Sequence, residues 1–163
     1  MASLAVTACA VAYVAAHAPQ GDTVMFSGKR DGSFVFNLRA RADRRDLGVL
    51  RADKLLLNVA VRRELGVGQS DDSEAQIADR INAAGVHYVV AQSDFWTDLR
   101  QMARLQAVLR SPRFEEVARI PVATNRPDED KELRIYRNLG PVSDHPVRPD
   151  LDLPMIGRKI PGS

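Results

Sequence analysis

The sequence predicts an α/β fold: a three-layer, Rossmann-like sheet, mostly parallel with three strands, followed by a C-terminal antiparallel hairpin. Three short apolar segments carry the prediction, Thr23-Val-Met-Phe-Ser27, Leu47-Gly-Val-Leu-Arg51 and Val86-His-Tyr-Val-Val-Ala91. Stretches with helical spacing alternate with them. Strands that alternate with helices are joined by crossovers, which gives parallel strands covered on both faces. Two later segments, Phe114 to Val122 and Leu133 to Asn138, flank a polar connection containing Pro127 and read as the hairpin.

Leu4 to Ala16 is an uncharged run of 13 residues, too short to span a bilayer. Ala16-His17-Ala18 resembles a signal-peptidase site, yet no Lys or Arg precedes the run. The favoured reading is a half-buried helix stopped by Pro19 and Gly21. Gln20-Gly21-Asp22 then turns the chain into the first strand. Gly28 to Gly32 is a loop, and Ser33 to Arg39 opens a helix. Phe34, Leu38 and either Phe36 or Val35 would face the sheet there, although the aromatic alternation also permits a strand. Lys54 to Leu65 fits either a strand or a helix.

The next helix is the best signalled. Ser73 with Gln76 matches the reciprocal capping pattern, Ile77, Ile81 and Ala84 recur at helical spacing, and Gly85 supplies a stop. In the helix from Asp98 to Arg110, Leu99, Met102, Leu105 and Leu109 share one face, and Pro112 prevents continuation. Arg134 and Tyr136 alternate with Leu133 and Ile135, the pattern of a half-exposed sheet edge. From Leu139 onward the chain holds five of its nine prolines and little apolar periodicity. Residues 1–138 therefore read as one α/β domain, with 1–18 as a leading helix, and 139–163 as an extended or disordered tail.

Composition excludes more than it assigns. The formal charge is +2, from 23 basic and 21 acidic residues, which argues against a nucleic-acid partner. Arg39, Arg41, Arg44, Arg45, Arg51, Lys54, Arg62 and Arg63 form a local excess, but Asp43, Asp46 and Asp53 are interleaved, as in a partly paired surface. A single Cys9 excludes an internal disulfide and sits among alanines and valines as a buried, inert thiol would. His17, His87 and His145 lack companions at metal-ligand spacing, so no metal and no cofactor is expected. Phe26-Ser-Gly-Lys29 fails as a phosphate loop because Arg30 replaces the required hydroxyl residue, and Gly66-Val-Gly68 lacks a third glycine. No nucleophile–base pairing is legible, and Glu115-Glu116 would point to opposite faces of a strand, so no catalytic residue is assigned.

Ligands of open α/β sheets bind beyond the carboxyl ends of the strands. Ser27, Lys29 and Asp31 follow the first strand, Asp53 the second, and Gln92, Ser93, Asp94 and Trp96 the third. Lys29, Asp31, Asp94 and Trp96 are the candidate ligand residues, a cation and carboxylates to grip a sugar or phosphate with the indole stacked on a ring. The plainer alternative has Asp94 or Thr97 capping the next helix, Trp96 packing over the sheet edge and Lys29 solvated.

Several phrases in order are similar to the soluble C-terminal domain of bacterial membrane glycosyltransferases. These are multi-spanning enzymes related to protein mannosyltransferases and aminoarabinose transferases, which use polyprenyl-phosphate sugars. The phrases are Val14 to Pro19, Val24-Met-Phe-Ser-Gly28 with Asp31 to Phe36, Val49 to Lys54, Gly85 to Val90, Phe114 to Val122 and Leu133 to Arg137. The resemblance implies a non-catalytic extracytoplasmic module that assists donor or acceptor access. In that family the catalytic acidic residues lie on a loop of the membrane-embedded part, and no position here inherits that role. It further implies a piece of a longer protein, with the leading helix next to the membrane. Its partners would be the membrane-embedded part of a parent enzyme and lipid-linked sugar or anionic headgroups, on the periplasmic or extracytoplasmic face. The rival is a free-standing α/β protein that binds a small sugar or phosphorylated ligand at the strand ends.

Overall fold

In a computed structural model the structure describes residues 2–59, 63, 66–122, 131–147, 151–153 and 158–160. The chain runs through α1 (Ala2–His17), β1 (Thr23–Ser27), α2 (Asp31–Arg39), a 3-10 turn at Ala42–Arg44, β2 (Gly48–Arg51) and α3 (Ala52–Leu56). It continues through β3 (Leu57–Val59), β4 (Val67–Gln69), α4 (Glu74–Ala83), β5 (Val86–Ala91), α5 (Arg100–Leu109), β6 (Phe114–Pro121), β7 (Glu132–Asn138), β8 (Leu151–Leu153) and β9 (Arg158–Ile160).

The mixed α/β prediction holds. Five strands form one sheet in the order β2-β1-β5-β7-β6. β1 pairs in parallel with β2 and β5, while β7 runs antiparallel to β5 and β6. β3 with β4 and β8 with β9 form separate antiparallel pairs. The β1–β5 register slips between Thr23 and Val24, so His87 is an extra residue, a bulge in the ladder.

Strand side chains alternate between two apolar clusters. Val24, Phe26, Tyr88, Val90, Leu133 and Ile135 pack with Val11, Val14, Phe34 and Leu38 of α1 and α2. Met25, Val89, Ala91 and Tyr136 pack with Leu55, Ile77, Ile81, Met102 and Leu105 of α3, α4 and α5. Phe26 stacks on Phe34 at 4.6 Å between centroids, fastening β1 to α2.

α4 forms as its pattern dictates: Gln76 N–H donates to Ser73 Oγ at 3.3 Å, and Ser73 N–H donates to Gln76 Oε1 at 2.8 Å. Gly85 ends it at φ +71, a conformation that favours glycine.

Several expectations are corrected. Ser33 to Arg39 is helical, but Phe36 points to solvent and Val35 is half-buried, because the core side of α2 is already filled by Phe34 and Leu38. The ambiguous stretch after Asp53 divides into the end of α3 and β3, and its residues 60–62, 64 and 65 lie outside the described residues. β7 is no edge, since β6 takes the outer place, and Tyr136 is buried in the cluster formed with α4 and α5. Cys9 is exposed, because it lies on the outward face of α1.

Leu139 to Val147 forms neither helix nor strand, yet its backbone serves the end of α4. Ser143 N–H donates at 2.9 Å to Asn82 O, which also accepts Gly85 N–H at 3.0 Å, and Val147 N–H donates at 2.8 Å to Ala83 O, in the last turn where carbonyls lack helical partners. Asn138 joins the same region by donating from Nδ2 to Asn82 Oδ1 and Val86 O. Among the described residues no helix is long and apolar enough to cross a membrane.

Candidate functional site at the strand carboxyl ends

β1 leads to β2 on one side and has β5 on the other, so the crossovers diverge between the carboxyl ends of β1 and β5. The sequence-predicted residues after these two strands meet there. Gln92 N–H donates to Ser27 O at 2.8 Å, extending the ladder one step past the strands. The Gln92 side chain turns across the junction, and its Oε1 accepts from Lys29 N–H at 2.8 Å. From α5, Gln106 Nε2 donates to Gln92 O at 3.1 Å. Gly28 admits this crossing: a Cβ there would lie 3.0 Å from Gln92 Oε1 and 3.1 Å from the Phe26 ring.

Lys29 Nζ and Asp94 Oδ2 stand 3.0 Å apart, both side chains about one-third exposed. Asp31 joins a second group, in which Arg51 Nη1 lies 2.8 Å from Asp31 Oδ2. The same guanidinium grips Asp53 through Nε at 3.0 Å and Nη2 at 2.8 Å. The Asp53 side chain is only 4% exposed, and both of its oxygens accept from this fork. Asp31 and Asp53 also occupy the first turns of α2 and α3, where the helix dipole favours a carboxylate. Among the described residues Ser27 Oγ is buried without a hydrogen-bond partner.

Trp96 is packed against its neighbours. Its ring stacks on Phe95 at 4.7 Å between centroids and lies under the Arg63 guanidinium at 5.6 Å. Arg63 also reaches Asp98, and the indole packs against the apolar cluster beneath α5. Trp96 has φ +52, a left-handed conformation that costs energy for a bulky side chain. The alternative capping reading fails as well: α5 starts at Arg100 with Leu99 at its N-cap and no side-chain cap, so neither Asp94 nor Thr97 caps it.

The structure therefore brings Lys29 and Asp94 together, places Asp31 with Arg51 and Asp53, and seats Trp96 on Phe95 and Arg63. Sequence reasoning missed Arg51 as the bridge; an arginine two residues before an aspartate at a strand-to-helix junction was the available signal.

A second polar pair lies at the opposite end of these strands. His87 Nδ1 is 2.8 Å from Asp22 Oδ1, and Asp22 Oδ2 is buried with no hydrogen-bond partner among the described residues. Burial pushes the Asp22 carboxyl up, outweighing the hydrogen bond from His87.

Chemically, the strand ends offer one ammonium and several carboxylates, suited to polar hydroxyl or phosphate groups but already engaged with one another. Among the described residues no group of three or more His, Cys, Asp or Glu side chains is arranged to hold a metal ion. No family model, curated protein or solved structure matches this chain.

Proposed function

We propose that this chain is a non-catalytic accessory domain of a multi-spanning membrane glycosyltransferase, working on its extracytoplasmic face to organise donor or acceptor access. The observation that carries the reading is the mutual engagement of charges at the strand ends. Lys29 is paired with Asp94, and Arg51 is shared by Asp31 and Asp53. Such an arrangement suits a scaffold better than a centre poised for chemistry. The phrases that resemble the family fall on the end of α1, β1, the start of α2, β2 with α3, β5, β6 and β7. A three-layer, Rossmann-like arrangement belongs to the same reading, supported by the two apolar clusters.

The test is sugar transfer from a polyprenyl-phosphate donor, run on the purified chain and on detergent-solubilised native membranes that hold it. Transfer only by a complex containing the chain is the expected result. Transfer by the purified chain alone, or failure to recover a transferase with it, overturns the proposal.

The Lys29–Asp94 pair favours one second reading, a sugar or phosphate ligand that inserts between the two charges. Saturable thermal stabilisation by a sugar phosphate, lost in Lys29→Ala, would support it.

A further inference from the structure

We infer that the outer face of α1 and α2 docks on the surface of an anionic phospholipid bilayer. This inference deepens the proposed membrane setting and rests on it, but it concerns a different surface from the strand ends.

α1 holds no Asp, Glu, Lys or Arg. Val11, Val14 and Ala15 face the sheet, and Ala8, Cys9, Ala12 and Ala16 are exposed on the opposite side. A helix on a water-facing surface ordinarily carries charge on its outer side. α2 lies beside α1 on the same cluster, joined to it through Thr7 Oγ1, which is 2.8 Å from Ser33 Oγ and 2.7 Å from Asn37 Nδ2. Gly32, Phe36 and Ala40 follow at four-residue spacing and are exposed, with the Phe36 side 65% open. The two helices thus present an uncharged plate with one aromatic side chain standing out of it.

Charge complementarity selects the occupant. Between Lys29 and Asp46 lie six cations and three carboxylates. Lys29 is engaged at the strand ends by Asp94, Arg41 by Asp43 and Arg44 by Asp46, which leaves Arg30, Arg39 and Arg45 as the segment's cations outside these pairs. Arg39 is exposed one turn from Phe36, and Arg45 is exposed beyond the 3-10 turn. An apolar plate with an aromatic wedge and an arginine rim matches a headgroup layer, where apolar burial and attraction to anionic lipid act together.

The experiment is co-sedimentation of the chain with vesicles of equal parts phosphatidylglycerol and phosphatidylcholine, or of phosphatidylcholine alone. An environment-sensitive dye on Cys9, the single and exposed cysteine, gives a second readout. Binding to the anionic vesicles, weakening as salt rises from about 0.05 to about 0.5 M, is expected. Phe36→Asp should lower partition about tenfold, and Arg45→Glu about fivefold. Ala12→Glu provides an independent change on α1 should Phe36→Asp fail to fold. Val147→Asp, an exposed apolar site beside α4, should leave binding unchanged.

No sedimentation at low salt, or binding indifferent to Phe36→Asp, Ala12→Glu and Arg45→Glu alike, overturns the inference. Self-association abolished by Phe36→Asp without vesicle binding also overturns it and gives the face to a second copy. Vesicle binding without any recoverable transferase would retain the docking face and reject the accessory role.

Discussion

His87, the bulged residue of β5, meets the buried carboxylate of Asp22 at 2.8 Å, so the irregularity in the ladder coincides with a polar tie to the start of β1. Asp22 also accepts Gly48 N–H through its carbonyl at 2.8 Å, which makes it a junction of β1, β2 and β5.

The first prediction concerns pH. Burial raises the folded-state pKa of Asp22 above its ordinary 3.8. The stability contributed by its protonated form is fully present below that ordinary value and is lost as pH rises through the raised one. Asp22→Asn removes this dependence. Urea unfolding of both proteins across the acid-to-neutral range should show the wild-type advantage largest in acid and shrinking as pH rises. A constant difference would refute the linkage.

Gly28→Ala should destabilise the domain by about 1–3 kcal/mol, because the new methyl meets Gln92 Oε1 and the Phe26 ring. Gln92→Ala alone should cost about 1–2 kcal/mol through the lost bond to Lys29 N–H. Combined, the two changes should cost less than their separate effects added, since the second removes one of the two obstacles to the first and leaves only the Phe26 ring. Denaturant midpoints of the four proteins decide the point.

Arg51→Met should be worse than the removal of an ordinary surface charge, about 2–3 kcal/mol, because it strands Asp53 in the interior. The figure is below that for a wholly buried pair because Arg51 is itself partly solvated. Adding Asp53→Asn should restore part of the loss. If Arg51→Met/Asp53→Asn is no more stable than Arg51→Met, the charge argument is wrong.

Gly85→Ala should loosen the segment after β7. The position combines φ +71 with a Cβ that would fall 2.8 Å from Pro146 Cβ. Faster hydrogen exchange at the Ser143 and Val147 amides, which donate to Asn82 and Ala83, is the expected reading. Exchange unchanged at both would show that the Gly85–Pro146 contact does not hold the segment.

The sequence announces those features that depend on neighbours along the chain. The apolar runs at Thr23–Ser27 and Val86–Ala91 become buried parallel strands because both faces of the sheet are covered. The Ser73–Gln76 box starts α4 because its bonds span only three residues. Features set by distant contacts were hidden. The burial of Tyr136 depends on α4 and α5 covering its face of the sheet, the junction at the strand ends depends on Gln92 reaching Lys29, and Arg51 finds Asp31 twenty positions away. At the candidate site, residue types and rough location were legible, while the placing of Trp96 follows a left-handed backbone turn that no local pattern signals.

The place of β7 in the sheet constrains how the domain is synthesised. β6 emerges from the ribosome first, but among the described residues its one partner in the sheet is β7, which is also the antiparallel neighbour of β5. Until Glu132–Asn138 arrives, β5 is left as an open edge and β6 has no ladder to join. A nascent chain halted before Glu132 is therefore an aggregation-prone intermediate rather than a smaller stable domain.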